Sequence, residues 1–483
     1  MKKHYWIIIA LCALVIAGCT PANADNHKKE DPEEKVDPEG PDNPDNPDNP
    51  DNPDGPDQPD QPDPEPEFEP GSGTAGDLDI SDENLPGTGY PSFEDASDED
   101  IYCATYPLPD PLVFNDGSKV STSQEWNSKR RAEILKIFAD NMFGDIPPKP
   151  EGLHFKVLSE DATVYDGIGT RKIIRIFLDA SEEHWFDAML HLPNSGDNIP
   201  VFVFLNHVGN EVTLAAQKSR WPFDMIMQRG FGVITAWHDE IDPDPNPAAG
   251  EDVHGPFSRG VRSWYAKGCN WGALGAWAWG MSRLIDYLET EPRVGKDRIC
   301  SLGHSRTGKT SLWAAANDSR YAICFANGSG CCGAAISRRP DGKNFYTSAM
   351  NQYYYHWFTP KFYDYYTVPG TFPAEQHWLA ALTAPRPIYF GCGDSESYDA
   401  RLEWITALRV SPVYALFDKV GLPSGSFPPT DKPVNTGTVG FHHRTGGHDV
   451  KDFDWNAYMD FASYHFGLKK KKKNISPYWR FAP

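Results

Sequence analysis

The stretch Gly303-His304-Ser305-Arg306-Thr307-Gly308-Lys309 holds the residues best placed to do chemistry. A short apolar run, Arg298 to Leu302, reads as a buried strand, and the run from Gly308 through Ala316 reads as a helix. Ser305 falls on the sharp turn between them, with glycines close on both sides. A serine there projects its hydroxyl from the edge of a sheet. The helix N-terminus behind it presents backbone N–H groups to a developing oxyanion. This is the elbow of a nucleophilic serine in acyl transfer. The usual pattern is G-x-S-x-G; here Thr307 takes the last glycine position and Gly308 follows it.

A serine nucleophile needs a base and an acid to orient that base, and on an elbow of this kind they follow in the order Ser, acid, His. His448 stands in Thr445-Gly446-Gly447-His448-Asp449, just before the last amphipathic segment. Flanking glycines let that loop carry an imidazole over the elbow. The acid is expected after the strand Pro387 to Gly391, in Gly391-Cys392-Gly393-Asp394-Ser395-Glu396. The G-x-x-D spacing favours Asp394; Glu396 stays open. Either carboxylate would orient the imidazole and stabilise its cation.

The elements that must position these groups alternate. Gln124 to Met142 has helical spacing, with Trp126, Ala132, Ile134, Leu135 and Phe138 toward one face. Phe155–Leu158, Lys172–Leu178 and Trp185–Leu192 read as antiparallel strands. Pro200–Leu205 and Gly232–Ala236 are continuous apolar runs, as strands covered on both faces should be. Trp271 to Leu288 is a long apolar helix, and Asp454 to Phe466 a closing one. The pattern predicts an α/β-hydrolase fold: a mainly parallel, doubly wound sheet in a three-layer sandwich.

Ahead of this lies a different kind of chain. Met1-Lys2-Lys3, an apolar run from Tyr5 to Ala17 and Ile16-Ala17-Gly18-Cys19 read as a signal peptide over residues 1–18 that ends in a lipobox. Cys19 would become a lipid-bearing N-terminus, and the lipid a tether to the membrane. The expected location is the bacterial cell envelope, on the outer membrane, facing the periplasm or the outside. Residues 19–95 read as an Asp/Pro-rich linker. Its Pro-Asp-Asn repeats deny helix and sheet and favour extended polyproline II, with a reach on the order of 150 Å. Residues 96–468 form the expected catalytic domain and 469–483 a lysine-rich tail.

The net charge of −23 belongs to the linker: residues 21–100 hold 27 Asp and Glu against three Lys, so the domain itself is nearly neutral. That argues against a nucleic-acid partner. Seven cysteines follow Cys19, an odd number that excludes complete internal pairing. Cys300 and Cys392 fall in predicted strands and read as small apolar residues. No C-x-x-C pair, H-E-x-x-H or phosphate loop is present. Neither a metal nor an organic cofactor is expected, and the protein is expected to act as a monomer.

The residues resemble those of the glucuronoyl esterases, carbohydrate esterase family 15, of the bacterial type. The likeness rests on G-[CH]-S-R-x-G-K, matched from Gly303 to Lys309, on Asn327-Gly328-Ser329-Gly330-Cys331, and on Ala384-Pro385-Arg386-Pro387. It spans essentially the whole domain. The resemblance implies that Ser305 attacks an ester carbonyl with His448 as base, and that Arg306 stabilises the oxyanion. It implies that Lys309 hydrogen-bonds sugar hydroxyls. Fungal members carry the triad glutamate where Gly328 stands here, which returns the acid to Asp394 or Glu396. The family tryptophan that stacks on the sugar is replaced by Tyr398 and its neighbours. Gln352, His356 and Trp357 lie in an aromatic stretch that could line the sugar site. The implied substrate is an ester of glucuronic or 4-O-methylglucuronic acid, as in lignin–carbohydrate linkages of glucuronoxylan. The alternatives are an acetyl or other cell-wall carbohydrate esterase, and an inactive surface glycan-binding lipoprotein.

Overall fold

The computed structural model describes residues 108–468, apart from 216–219, 256–258, 266–268, 339–353, 366–370, 397, 399 and 426. The signal peptide, Cys19, the linker, the lysine tail and Gln352 lie outside the described residues. Nine strands form one sheet: β1 (His154–Thr163), β2 (Gly169–Phe177), β3 (Trp185–Pro193), β4 (Ile199–Asn206), β5 (Gly232–Trp237), β6 (Val294–His304), β7 (Tyr321–Asn327), β8 (Ile388–Gly393) and β9 (Val439–Arg444). Their order is β1-β2-β3-β5-β4-β6-β7-β8-β9. From β5 onward every neighbour runs parallel, while β1, β2 and β3 add an antiparallel flank. This is the α/β-hydrolase arrangement.

Burial explains the layering. All eight residues of β4 are buried. Val201, Val203 and Leu205 enter one core cluster, and Phe202 and Phe204 enter another. Alternate side chains point to opposite faces of a strand, so β4 faces a helical layer on each side. One layer holds α2 (Ala273–Leu288) and α3 (Arg306–Asn317). Every residue of α2 is buried: its apolar and small residues cover most of its circumference, and its two charged residues, Arg283 and Asp286, pair with each other at 2.6 Å. The other layer holds α6 (Asp452–His465), whose Trp455, Tyr458 and Phe461 pack on Phe202 and Phe325.

The first helical segment differs from expectation. Instead of one helix over 124–142, α1 (Arg131–Phe138) is flanked by two π-helical turns, Trp126–Arg130 and Ala139–Phe143. Each π-turn shifts the phase of the buried face. Trp126, Arg130, Ile134 and Phe138 are thereby buried in succession, and Ala132 is left exposed. Arg130 is accommodated by Pro111 O at 2.9 Å, Asn115 Oδ1 at 2.9 Å and Glu133 Oε2 at 3.0 Å.

Two devices tie the two ends of β7 to their neighbours, Glu403 at the catalytic end and Arg386 at the opposite one. Arg386, in the run after α4 (Gln376–Ala381), donates to the carbonyls of Ala315, Asp318 and Tyr321, fastening the end of α3 to β7. Glu403, on α5 (Arg401–Ala415), accepts from Ser329 Oγ and Gly330 N, both at 2.8 Å, and holds the loop after β7. Burial pushes the Glu403 carboxyl up to about 7. A carboxyl raised above its unfolded value favours the folded state while protonated. That contribution is lost as pH rises through about 7. Glu403→Gln removes this titration and keeps an acceptor. Between pH 5 and pH 8 the wild type should therefore lose about 2–3 kcal/mol more stability than the variant. Urea unfolding of both proteins at the two pH values measures the difference; equal losses would show that Glu403 does not titrate in this range.

Candidate active site

The elbow forms as the sequence predicts. Ser305 is the N-cap of α3 with φ 59° and ψ −123°, a left-handed conformation costly for a serine. Two anchors hold it there: its N–H donates to Asn327 O on β7 at 2.9 Å, and its carbonyl accepts from Gly308 N and Lys309 N. The first N–H groups of a helix have no intrahelical acceptor, and those of α3 begin at the residue after Ser305. The shift from G-x-S-x-G to G-x-S-x-x-G has a packing reason. A Cβ on Gly308 would lie 2.9 Å from Asn327 O, so this is where helix and strand approach closely. Thr307 instead turns its hydroxyl to His304, accepting from His304 N at 3.0 Å and donating to His304 O at 2.9 Å.

His448 reaches the same edge. Its ring lies 4.4 Å from the ring of His304, the residue before Ser305. Its Nδ1 donates to Glu396 Oε2 at 2.6 Å. The Glu396 side chain is 1% exposed, that of His448 30%. Glu396 Oε1 accepts from Gly393 N at 3.1 Å, so the carboxylate is fixed at the end of β8. With the ring proton held on Nδ1, Nε2 is the basic nitrogen.

Asp394, which the spacing favoured as the acid, stands elsewhere. It is exposed and accepts from Ser395 Oγ at 2.9 Å and Gly446 N at 3.0 Å. It thus shapes the loop that carries His448 without touching the imidazole. The physical reason is the turn after Gly393, which directs residue 396 inward and residue 394 outward. Gly328 completes the picture. A Cβ there would come within 3.2 Å of His448 Cε1 and Nδ1 and 3.3 Å of Glu396 Oε1. The place beside Gly328 is filled by the His448–Glu396 pair.

Arg306 and Lys309 are brought together over one aromatic face. The Arg306 guanidinium lies 5.1 Å and the Lys309 ammonium 5.8 Å from the Trp357 ring centroid. Lys309 is buried and donates to Ser329 O at 2.5 Å. Burial pushes its pKa down. Trp357 is itself buried, stacked on Tyr354 at 4.1 Å, so it forms the floor of the site. Tyr398 is 4% exposed and packs its ring edge against Gly330; it lies behind the loop after β7, in place of an exposed stacking surface.

The residue that sequence reasoning missed is Asp244. It lies in Asp242-Pro243-Asp244-Pro245, after the short helix His238–Ile241 that follows β5. Its Oδ1 accepts from His356 Nε2 at 2.8 Å and Trp357 Nε1 at 2.9 Å. Its Oδ2 accepts from His238 Nε2 at 2.8 Å and pairs with Arg306 Nη1. Burial alone would raise the Asp244 pKa, but Arg306, His238 and His356 outweigh it and hold the carboxyl well below its usual range. Burial, reinforced by Arg306, keeps His207 well below the usual histidine range, and burial with His448 does the same for His304. The available signal was its position: an acidic residue just past the C-terminal end of a parallel strand, where such sheets place their sites.

The comparisons with known proteins point to one family. A family model described as "Glucuronyl esterase, fungi" matches residues 180–417. Carbohydrate esterase MZ0003, from an unknown prokaryotic organism, is 33% identical over 400 residues, covering 74% of this chain and 90% of that protein. The 4-O-methyl-glucuronoyl methylesterase of Neurospora crassa is 28% identical over 295 residues, covering 59% of this chain and 66% of that protein. Among solved structures, the glucuronoyl esterase of Solibacter usitatus superposes with a TM-score of 0.69 at 32% identity, covering 75% of this chain and 98% of that one. With the serine elbow, the histidine loop and the sheet order all in place, the chain belongs to the glucuronoyl esterases of carbohydrate esterase family 15.

Proposed function

We propose that this protein is a serine esterase that hydrolyses esters of glucuronic and 4-O-methylglucuronic acid, such as those joining glucuronoxylan to lignin. The observation that carries the reading is the meeting, at one sheet edge, of a strained Ser305 with the His448–Glu396 pair. Ser305 Oγ attacks the uronoyl carbonyl carbon while His448 Nε2 takes its proton. Glu396 stabilises the resulting imidazolium. The amides that open α3 and the Arg306 guanidinium stabilise the oxyanion. Collapse breaks the bond to the alcohol oxygen, which leaves with the proton from His448. Water, deprotonated by His448, then attacks the acyl-enzyme; the bond to Ser305 Oγ breaks, His448 returns the proton to Oγ, and the uronate leaves. Benzyl glucuronate assayed beside a simple acetyl ester tests the reading: a preference for the acetyl ester would contradict it.

Asp244 acts through Arg306 in this scheme. A cation at a helix N-terminus opposes the helix dipole. A buried carboxylate with three further donors holds the guanidinium where the oxyanion forms. Lys309 and the Trp357 floor receive the sugar ring. The lipobox and the extended linker support a tethered enzyme that reaches polymeric substrate at the cell envelope.

Four sets of variants examine the roles. Ser305→Ala should lower kcat by about 10³-fold or more, and folded protein with near wild-type turnover would remove the assignment. Glu396→Gln should cost far more turnover than Asp394→Asn; the reverse order would return the acid to Asp394. Arg306→Ala should lower kcat roughly 10²–10³-fold, Asp244→Asn should lower it in the same direction, and the double variant should be no slower than Arg306→Ala alone. Losses that multiply would make Asp244 a support of the fold. Lys309→Ala should mostly raise KM for glucuronate esters and spare an acetyl ester.

A further inference from the structure

We infer that Arg220 is a positioning residue for the catalytic base: through Asp449 it fixes the loop that carries His448 against the segment that follows β4. The inference rests on the serine-esterase reading of the site and adds one working part to it. Arg220 Nε donates to Asp449 Oδ1 at 2.6 Å, across 229 positions of sequence. Asp449 is the residue after His448. The same Oδ1 accepts from Val450 N at 2.9 Å, and Oδ2 pairs with Lys451 Nζ. Burial alone would raise the Asp449 pKa, but Lys451 and Arg220 outweigh it and hold the carboxyl below its usual range. The carboxylate is therefore charged at any pH where a neutral imidazole acts as a base.

Arg220 can anchor the loop because its own backbone is held. Its carbonyl accepts from Trp455 Nε1, on α6, at 3.0 Å. Trp221, beside it, is 4% exposed and meets Phe204 of β4 edge-on at 4.2 Å and the Trp455 ring at 6.5 Å. The short helix Phe223–Gln228 follows at once. The Arg220 charge also reaches the residue before the nucleophile: with burial and His448, it keeps His304 below the usual histidine range. Glu396 holds the His448 ring by one nitrogen, from the β8 side, and Arg444 holds the loop at Gly447 O and Asp449 O. Glycines at 446 and 447 leave that loop conformational freedom that these bonds must remove. In the sheet, β4 lies on one side of β6 and β9 on the other. The Arg220–Asp449 pair therefore links segments from the two sides of Ser305. A partly exposed ion pair adds little to global stability, whereas a small displacement of a catalytic group costs much in rate. That contrast makes the role testable.

Two readouts test this. The rate at which a fluorophosphonate labels Ser305 reports activation by the base without any sugar ester, and hydrolysis of benzyl glucuronate reports turnover. Arg220→Met should slow labelling and kcat about 5–20-fold. KM should stay within about twofold, because no contact to the sugar is lost. Asp449→Asn should act in the same direction, and the double variant should be no slower than the slower single one. Arg220→Lys keeps a cation for one carboxylate oxygen and should recover most of the loss. If Arg220→Met protein does not fold, Asp449→Asn, which keeps the side chain's shape, carries the same reading. Unchanged labelling and kcat, losses that multiply in the double variant, or Arg220→Lys protein as slow as Arg220→Met would each overturn the positioning role. Slowed labelling restored by lysine supports it even if the wild type leaves benzyl glucuronate intact. Wild-type labelling in the variants overturns it even if that ester is cleaved.

Discussion

The site depends on one desolvated contact, the bond from His448 Nδ1 to Glu396 Oε2. A carboxylate whose side chain is 1% exposed needs protein donors as compensation for the water it has lost. Gly393 N–H and the imidazole supply that compensation. In return the carboxylate fixes the ring. Both partners sit on loops, but each loop leaves an adjacent parallel strand: Glu396 follows β8 and His448 follows β9. The register of those strands therefore sets the distance between them. Arg444, at the end of β9, ties the histidine loop down through Gly447 O and Asp449 O, and its Nε donates to Asp454 Oδ2 at 2.7 Å.

Asp454 repeats the principle one layer deeper. It also accepts from His442 Nε2 at 2.7 Å, from Lys451 N at 2.7 Å and from Asn327 Nδ2 at 3.2 Å. Asn327 in turn takes His304 Nδ1 on its Oδ1 at 2.7 Å. A chain of satisfied polar groups thus runs beneath Ser305 from α6 through β9 and β7 to β6. Buried networks of this kind specify a geometry when every member is paired. On the far side of Ser305, Asp244 gathers Arg306, His238, His356 and Trp357. Ser305 stands between two carboxylate-centred clusters, one around Asp454 and the other around Asp244 with Arg306.

Much of this was legible in the chain. The elbow, the histidine loop and the central strands follow from local signals: glycines at a strand–helix corner, apolar runs too long to be exposed, a terminal amphipathic segment. Other elements were not. β9 reads as polar because His442, His443 and Arg444 find their partners only in the folded protein. Helix α5 contains Pro412, which argues against a helix on local grounds. Asp394 and Glu396 follow the same strand two residues apart, and which one turns inward is set by the turn after Gly393, whose bonds run to Arg444 O, Gly446 O and Glu396 Oε1. Asp244 draws its partners from positions 238, 306, 356 and 357, a grouping that no local spacing signals. Trp357 read only as one of three residues in an aromatic stretch, and its indole N–H is committed to Asp244.

The account's central claim is that His448 and Glu396 activate Ser305 for attack on a uronoyl carbonyl. The most direct measurement is the rate of covalent labelling by a fluorophosphonate, with the modified peptide identified by mass spectrometry. The account predicts one label per chain, on Ser305, slowed by added methyl glucuronate and nearly abolished in Glu396→Gln protein. Labelling at another serine, or labelling of Ser305 that neither the sugar nor the Glu396 variant affects, would contradict it.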